Sequence, residues 1–292
     1  ISRNFKQADY VERQSGLCEL ALHNFPLLGL GHIRIHNRDG ISYLQEMLPV
    51  DCLFLDPARR DGHGGKTVAI SDCEPDVTVL EPLLVDKAKK VMVKLSPMLD
   101  LSLALNELKT VRAVHIVAVN NECKELLLIL QKESVSSEVS IHCEHIAGNG
   151  ESRHYTFTLK QEKTSPCLLA DEVGTYLYEP NAAILKAGAF RSLTQTYPVA
   201  KLHLNSHLYT SASLVPDFPG RRFRVESVSG FGKKELKVFL MDMDKANITI
   251  RNFPLSVAEL RKRLKLKEGG DDYIFATTLS GGQKVLIRGK KC

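Results

Sequence analysis

The sequence contains no apolar run approaching the roughly 20 residues needed to span a bilayer. No stretch near its start joins a charged beginning, an apolar centre and a small-residue cleavage site, as a secretory leader would. Cysteine is sparse and unpatterned. Seven residues, at positions 18, 52, 73, 123, 143, 167 and 292, make an odd number without a C-x-x-C pair. That excludes a thiolate zinc site or a disulfide framework, so the expected setting is a reducing cytoplasm with no membrane partner. A P-loop is lacking too. Gly65-Lys66-Thr67 imitates its end, but counting back to the first required glycine reaches Arg60. Metal-ligand spacing is missing as well. In "HLNSH", Leu204 stands where a zinc protease needs Glu, and a strand would hold His203 and His207 too far apart to share an ion. In "HCEH", His142 and His145 fall on opposite faces of a strand. No metal is expected.

What is present is ordinary globular material, 292 residues with 43% hydrophobic and 25% charged, enough for two or three cores. The net charge of +5 conceals an asymmetry. From Gly220 to Cys292 there are 17 Lys and Arg against 8 Asp and Glu; the remainder carries 22 against 26. A basic C-terminal module on a slightly acidic body points to a polyanionic partner.

Apolar runs at 8–12, 32–36, 51–56, 91–96 and 113–119 alternate with amphipathic segments such as "LCELALHNFPLLGL", in which Leu17, Leu20, Ala21 and Leu28 recur near helical spacing. This repetition predicts a parallel, doubly wound α/β sheet over residues 1–160. "KELLLIL" after Asn120-Asn121 reads as a returning strand, and "VSIHCEHIA" and "RHYTFTLK" as strands about Gly148-Asn149-Gly150. Residues 165–219 form a second segment, with a helix expected over "NAAILKAGAFRSL" and an alternating strand over "KLHLNSHL". Residues 220–292 read as a small β-α-β-α-β-β domain. Ser256 and Glu259 make a capping box, Val257, Leu260 and Leu264 are expected inward, and Arg261, Lys262 and Lys265 outward.

Asp56-Pro57-Ala58-Arg59 ends the third strand, the end at which open α/β sheets bind ligands. A carboxylate and a carbonyl at that place can accept hydrogen bonds from an amine and aim its lone pair, so that alignment supplies the rate. Glu12 and Asp39 close the two preceding strands, giving an ordered series of acids at successive strand ends.

"DPARR", "SDCEPD", "KLSPMLDL", "YLYEPNAAILKAGAF", "HLYTS", "DFPGR" and "ITIRNFPLSVAELRKRLKLKEGGDDYIFATT" together resemble bacterial class I methyltransferases with a ferredoxin-like middle domain and a C-terminal THUMP-like domain. The resemblance implies a Rossmann-like sheet, S-adenosylmethionine as cofactor and methyl transfer, with THUMP-related domains associated with RNA, particularly tRNA. Glu12, Asp39 and Asp56 would then hold the cofactor, and Asp56, Pro57 and Ala58 would face the acceptor. Arg59, Arg60, Lys94 and Ser96 would position an anionic substrate. Arg251, Arg261, Lys262, Arg263, Lys265 and Lys267 would contact RNA phosphates. The loop departs from the family pattern, with Ala58 for a proline and Arg59 for an aromatic. The chain opens at Ile1 with a strand–helix unit under way, so the family's first strand and its Gly-rich turn are expected to be missing and cofactor binding to be impaired. Alternatives are a non-catalytic RNA-binding protein, or a methyltransferase acting on a small molecule or a protein.

Overall fold

The computed structural model describes residues 1–59, 69–132 and 138–292. The chain is a mixed α/β protein that divides into two compact units, Ile1–Arg112 with Leu127–Ser137, and Ala113–Leu126 with Glu138–Cys292. No helix among the described residues is long and apolar enough to cross a membrane.

In the first unit, β1 (Ala8–Glu12), α1 (Ser15–Leu27) and β2 (Ile33–Asn37) form a parallel strand–helix–strand unit with Glu12 opposite Asn37. The helix buries only Cys18 and Ala21, while Leu17, Leu20 and Leu28 remain exposed. Two strands offer too narrow a face to cover the whole apolar stripe expected from spacing. Asp39 caps α2 (Gly40–Glu46). β3 (Val50–Leu55) leads into β4 (Ala58–Arg59), which pairs antiparallel with β5 (Cys73–Glu74). α3 (Val77–Lys87), capped by Asp76, then crosses over to β6 (Ala88–Leu95), which lies parallel to β3. Val91, Val93 and Leu95 alternate into the core at 3% exposure or less, as period-2 patterning requires. α4 (Leu101–Glu107) follows, capped by Asp100.

β7 (Val111–Val119) and β8 (Glu122–Leu130) flank the predicted asparagine turn. Asn120 and Asn121 both take left-handed backbone, φ 51 and 64, which asparagine tolerates and a two-residue hairpin turn demands. In the second unit β9 (Ser140–Ile146) runs parallel to β7, and β10 (Ser152–Thr158) returns antiparallel to β9. α5 (Leu159–Thr164) follows behind a Thr158/Gln161 capping box.

After β11 (Tyr176–Pro180) the single helix expected over 181–193 is two, α6 (Ala182–Ala187) and α7 (Leu193–Thr196). Gly188 at φ 73 ends the first. The Glu162 carboxylate then accepts the amides of Phe190, Arg191 and Ser192, holding the chain out of helical register. The strand expected over "KLHLNSHL" is also interrupted. β12 (Ala200–Lys201) and β13 (Tyr209–Ser211) are joined by a turn in which Lys201 Nζ donates to Leu204 O. Leu202 and Leu208 are buried as expected, but Leu204 is exposed.

β14 (Gly220–Ser229), α8 (Lys233–Phe239), β15 (Asn247–Arg251), α9 (Val257–Leu264), β16 (Asp272–Thr278) and β17 (Lys284–Lys291) give the expected α+β order. They do not stand apart from the preceding segment. One seven-stranded sheet runs β12-β13-β11-β14-β17-β16-β15, with β11 paired antiparallel to β14 from Tyr176–Arg224 to Pro180–Gly220. A Cβ on Gly220 would lie 2.1 Å from Glu179 O, so only glycine admits that approach. Alternation along β16 and β17 fills two cores. Phe275 and Ile287 join Leu177 and Phe223, while Ile274, Ala276 and Leu286 join Leu260 and Leu264 of α9. Burying a leucine such as Leu260 contributes roughly 1.5–3 kcal/mol. Val257, expected inward, is 39% exposed, since it opens the helix beyond the reach of the second core.

Candidate active site and basic face

The sequence-predicted acids sit at strand ends of the first unit. Glu12 is the last residue of β1, and its Oε1 accepts from Gln14 N at 2.8 Å. Across the pair, Asn37 Nδ2 donates to Glu12 O at 2.9 Å, tying the carboxyl ends of β1 and β2 together. Asp39 lies two residues beyond β2. Its Oδ1 accepts from Ser42 N at 2.8 Å and Ser42 Oγ at 3.0 Å, which caps α2. Those bonds, the backbone one first, hold its pKa below the ordinary aspartate value. Asp39 therefore has a structural duty that sequence position alone does not reveal.

Asp56 follows β3 directly, and its Oδ2 meets Lys94 Nζ at 2.8 Å. Lys94 comes from β6, the parallel neighbour of β3, so the pair crosses two strand ends. Asp56 is 52% exposed at its side chain, Lys94 33%. Pro57 is buried, Asp56 and Ala58 exposed, so the proline anchors a loop whose polar atoms face outward. Ala58 pairs with Glu74, and Glu74 Oε1 accepts from Arg13 Nη1 at 3.4 Å. Arg13 is the residue after Glu12. An unbroken series of contacts thus joins Lys94, Asp56, the β4–β5 ribbon and the end of β1. Arg13 and Glu74 were missed by sequence reasoning; adjacency to Glu12 was the one available signal for Arg13, and nothing marked Glu74. Ser96 is occupied locally, its Oγ accepting from Met98 N at 3.2 Å. Of Arg59 only the backbone, in β4, is described, and Arg60 lies outside the described residues. So does Gly65-Lys66-Thr67. A cleft of about 360 Å³ in this unit lies at the opposite, amino ends of β3 and β6, lined by Val50, Asp51, Ala88 and Lys89.

The basic residues of the C-terminal segment separate into two groups. Arg251 is committed internally, with Nη2 donating to Glu179 Oε1 at 2.9 Å. Arg261 is half-buried and donates to Ala246 O at 3.1 Å. Lys262, Arg263, Lys265 and Lys267 are exposed along the end of α9 and beyond it. Arg263 lies over the Phe231 ring at 4.2 Å, a cation–π contact that fixes its guanidinium near the surface. Lys265 takes left-handed backbone, φ 56, as the helix C-cap. Cations gathered at this helix end are favoured by its dipole even without a ligand.

Two family models match the chain, a ferredoxin-like domain over residues 176–219 and a THUMP domain-like module over residues 220–291. Among solved structures, the crystal structure of the "putative methyltransferase from Porphyromonas gingivalis W83" is 35% identical to it. The TM-score is 0.88, and the alignment covers 98% of this chain and 72% of that one. The chain belongs to the family of that Porphyromonas gingivalis protein. No curated protein matches the sequence.

Proposed function

We propose that the protein transfers a methyl group from S-adenosylmethionine to RNA, tRNA being the substrate class. The observation that carries this reading is the exposed Asp56 carboxylate at the end of β3, fixed by Lys94 and linked through Ala58, Glu74 and Arg13 to the end of β1. The methyltransferase relative and the THUMP-like module support it.

S-adenosylmethionine presents hydroxyl and amine donors on its adenosine half, and it supplies an electrophilic methyl group on sulfur. Glu12 and Asp39 offer acceptors of the matching kind. An ionised carboxylate has about four acceptor sites, so both retain capacity beyond their local bonds. Asp56 and the Ala58 carbonyl accept from the acceptor group of the substrate and orient its lone pair, with Pro57 fixing the loop. Lys94 holds the Asp56 rotamer. Alignment of this sort lowers the barrier without a strong base. Lys94 and Ser96 border the acceptor's path, the charges of Arg59 and Arg60 suit an anionic substrate, and Lys262, Arg263, Lys265 and Lys267 engage phosphates, with Arg251 and Arg261 adding to the basic field.

The test is transfer of a labelled methyl group to bulk tRNA by the full-length protein, beside Asp56→Ala. Label in RNA that falls on Asp56→Ala is expected. Unlabelled RNA, or label indifferent to Asp56, overturns the assignment.

A further inference from the structure

Away from these residues, the second unit gathers three imidazoles around one carboxylate. His115 on β7 stands opposite His142 on β9, and Glu144 lies two residues further along β9, on the same face. From the other side, β10 places His154 opposite Glu144 and Thr156 opposite His142. The rings of His115 and His142 stack with centroids 4.5 Å apart and an interplanar angle of 11°. His115 Nδ1 is 3.9 Å from Glu144 Oε1, and His154 Nδ1 contacts Glu144 Oε2. One ligand atom from each of His115, His142 and Glu144 lies within 4.8 Å of the other two.

The sequence expectation of no metal weighed "HLNSH" and "HCEH" each as an isolated segment; in the second, His145 does turn away and accepts from Asn121 N. Register, not spacing, completes the cluster: His115 joins as a ligand from β7, and His154 reaches Glu144 from β10. Two His and a carboxylate with water in a fourth position is a recurrent zinc donor set. Bonds of about 2.0–2.1 Å to a tetrahedral ion put ligand atoms ~3.3 Å apart, so modest side-chain rotation closes the cluster. Outer partners are also in place. Thr156 Oγ1 is 3.1 Å from His142 Nδ1, an outer hydrogen-bond partner that can accept the Nδ1 proton when Nε2 binds an ion. His154 orients the Glu144 carboxylate from its second oxygen and is itself 3.2 Å from Ser152 Oγ. All four groups are part-exposed, so an ion can enter from solvent.

We propose that this face of β7, β9 and β10 binds one divalent ion of the zinc class, with His115, His142 and Glu144 as ligands and His154 as a positioning residue. The experiment titrates tag-free, metal-stripped full chain with zinc against a chromophoric chelator, and follows Tm with zinc or magnesium. One equivalent of zinc is expected, with a Tm rise that magnesium does not reproduce. His142→Gln and Glu144→Gln, which keep side-chain bulk, lower affinity by at least about ten-fold, and His154→Ala by about ten-fold. Cys292→Ser, at an exposed thiol, leaves the stoichiometry unchanged. Absence of stoichiometric binding, or binding unaltered in a His115→Ala/His142→Gln double variant that retains the native circular dichroism spectrum, overturns the proposal.

Discussion

Glu179 and Asp56 are both acids near the carboxyl ends of strands, each paired with basic side chains, and they have opposite uses. Glu179 is 3% exposed and holds two arginines, Arg221 through Oε2 and Arg251 through Oε1. Every lone pair facing those guanidiniums is consumed inside the sheet. Asp56 is 52% exposed and holds one lysine through one oxygen. A buried, doubly paired carboxylate is a strut whose removal strands two cations. An exposed, singly paired one costs little to keep and has acceptor capacity left for a substrate. Burial and partner count, rather than residue type, separate structure from candidate chemistry here.

The comparison can be broken most directly at Glu179. Glu179→Ala leaves Arg221 and Arg251 uncompensated and is expected to destabilise the protein by about 3 kcal/mol, read by denaturant unfolding. Asp56→Ala should change stability by less than about 1 kcal/mol in the same assay, because the lost pair is exposed. Methyl transfer should fall by about 100-fold, since positioning rather than proton abstraction is removed. Equal stability losses at the two sites would erase the distinction.

A pH titration sharpens it further. His207 is stacked on Phe190 at 3.7 Å, and burial first, then Lys201 and Arg251, push its pKa down from 6.5 to about 4. Its Nδ1 is buried without a hydrogen-bond partner, consistent with a neutral ring. Between those values the unfolded chain binds the proton and the folded one does not, so stability falls as pH drops from about 6.5 towards 4 and this contribution is flat outside that window. The loss should be about 2 kcal/mol after allowing for partial exposure, and His207→Phe should flatten the slope. The smallest effect is expected at the basic face. Lys262→Ala and Lys265→Ala should leave stability within about 0.5 kcal/mol while each lowers the salt dependence of RNA binding by about one unit of slope.

Much of this was legible in the chain. Short apolar runs located β3, β6 and β7, and the Ser256/Glu259 box located the start of α9, because those signals are local. Asp56 at a strand end needed only the run "DCLFLD" before it. What escaped depends on long-range pairing. Arg251 looked like a phosphate contact until the fold delivered it to Glu179, 72 residues earlier in the chain. Asp39 reads as a strand-end acid, and only the fold shows that its Oδ1 also caps α2 through Ser42. The turn through Leu204 was hidden by perfect alternation on either side, since period-2 hydrophobicity does not register a break that keeps Leu202 and Leu208 inside.

The seam between β11 and β14 has a practical meaning. Where the two domains meet, at Pro219 and Gly220, the ladder runs through the junction: Pro180 pairs with Gly220, and a Cβ at Gly220 would strike Glu179 O. Expressing either half alone would bare a raw sheet margin prone to self-association, and inheritance or engineering would have to shuffle the two as a single cassette.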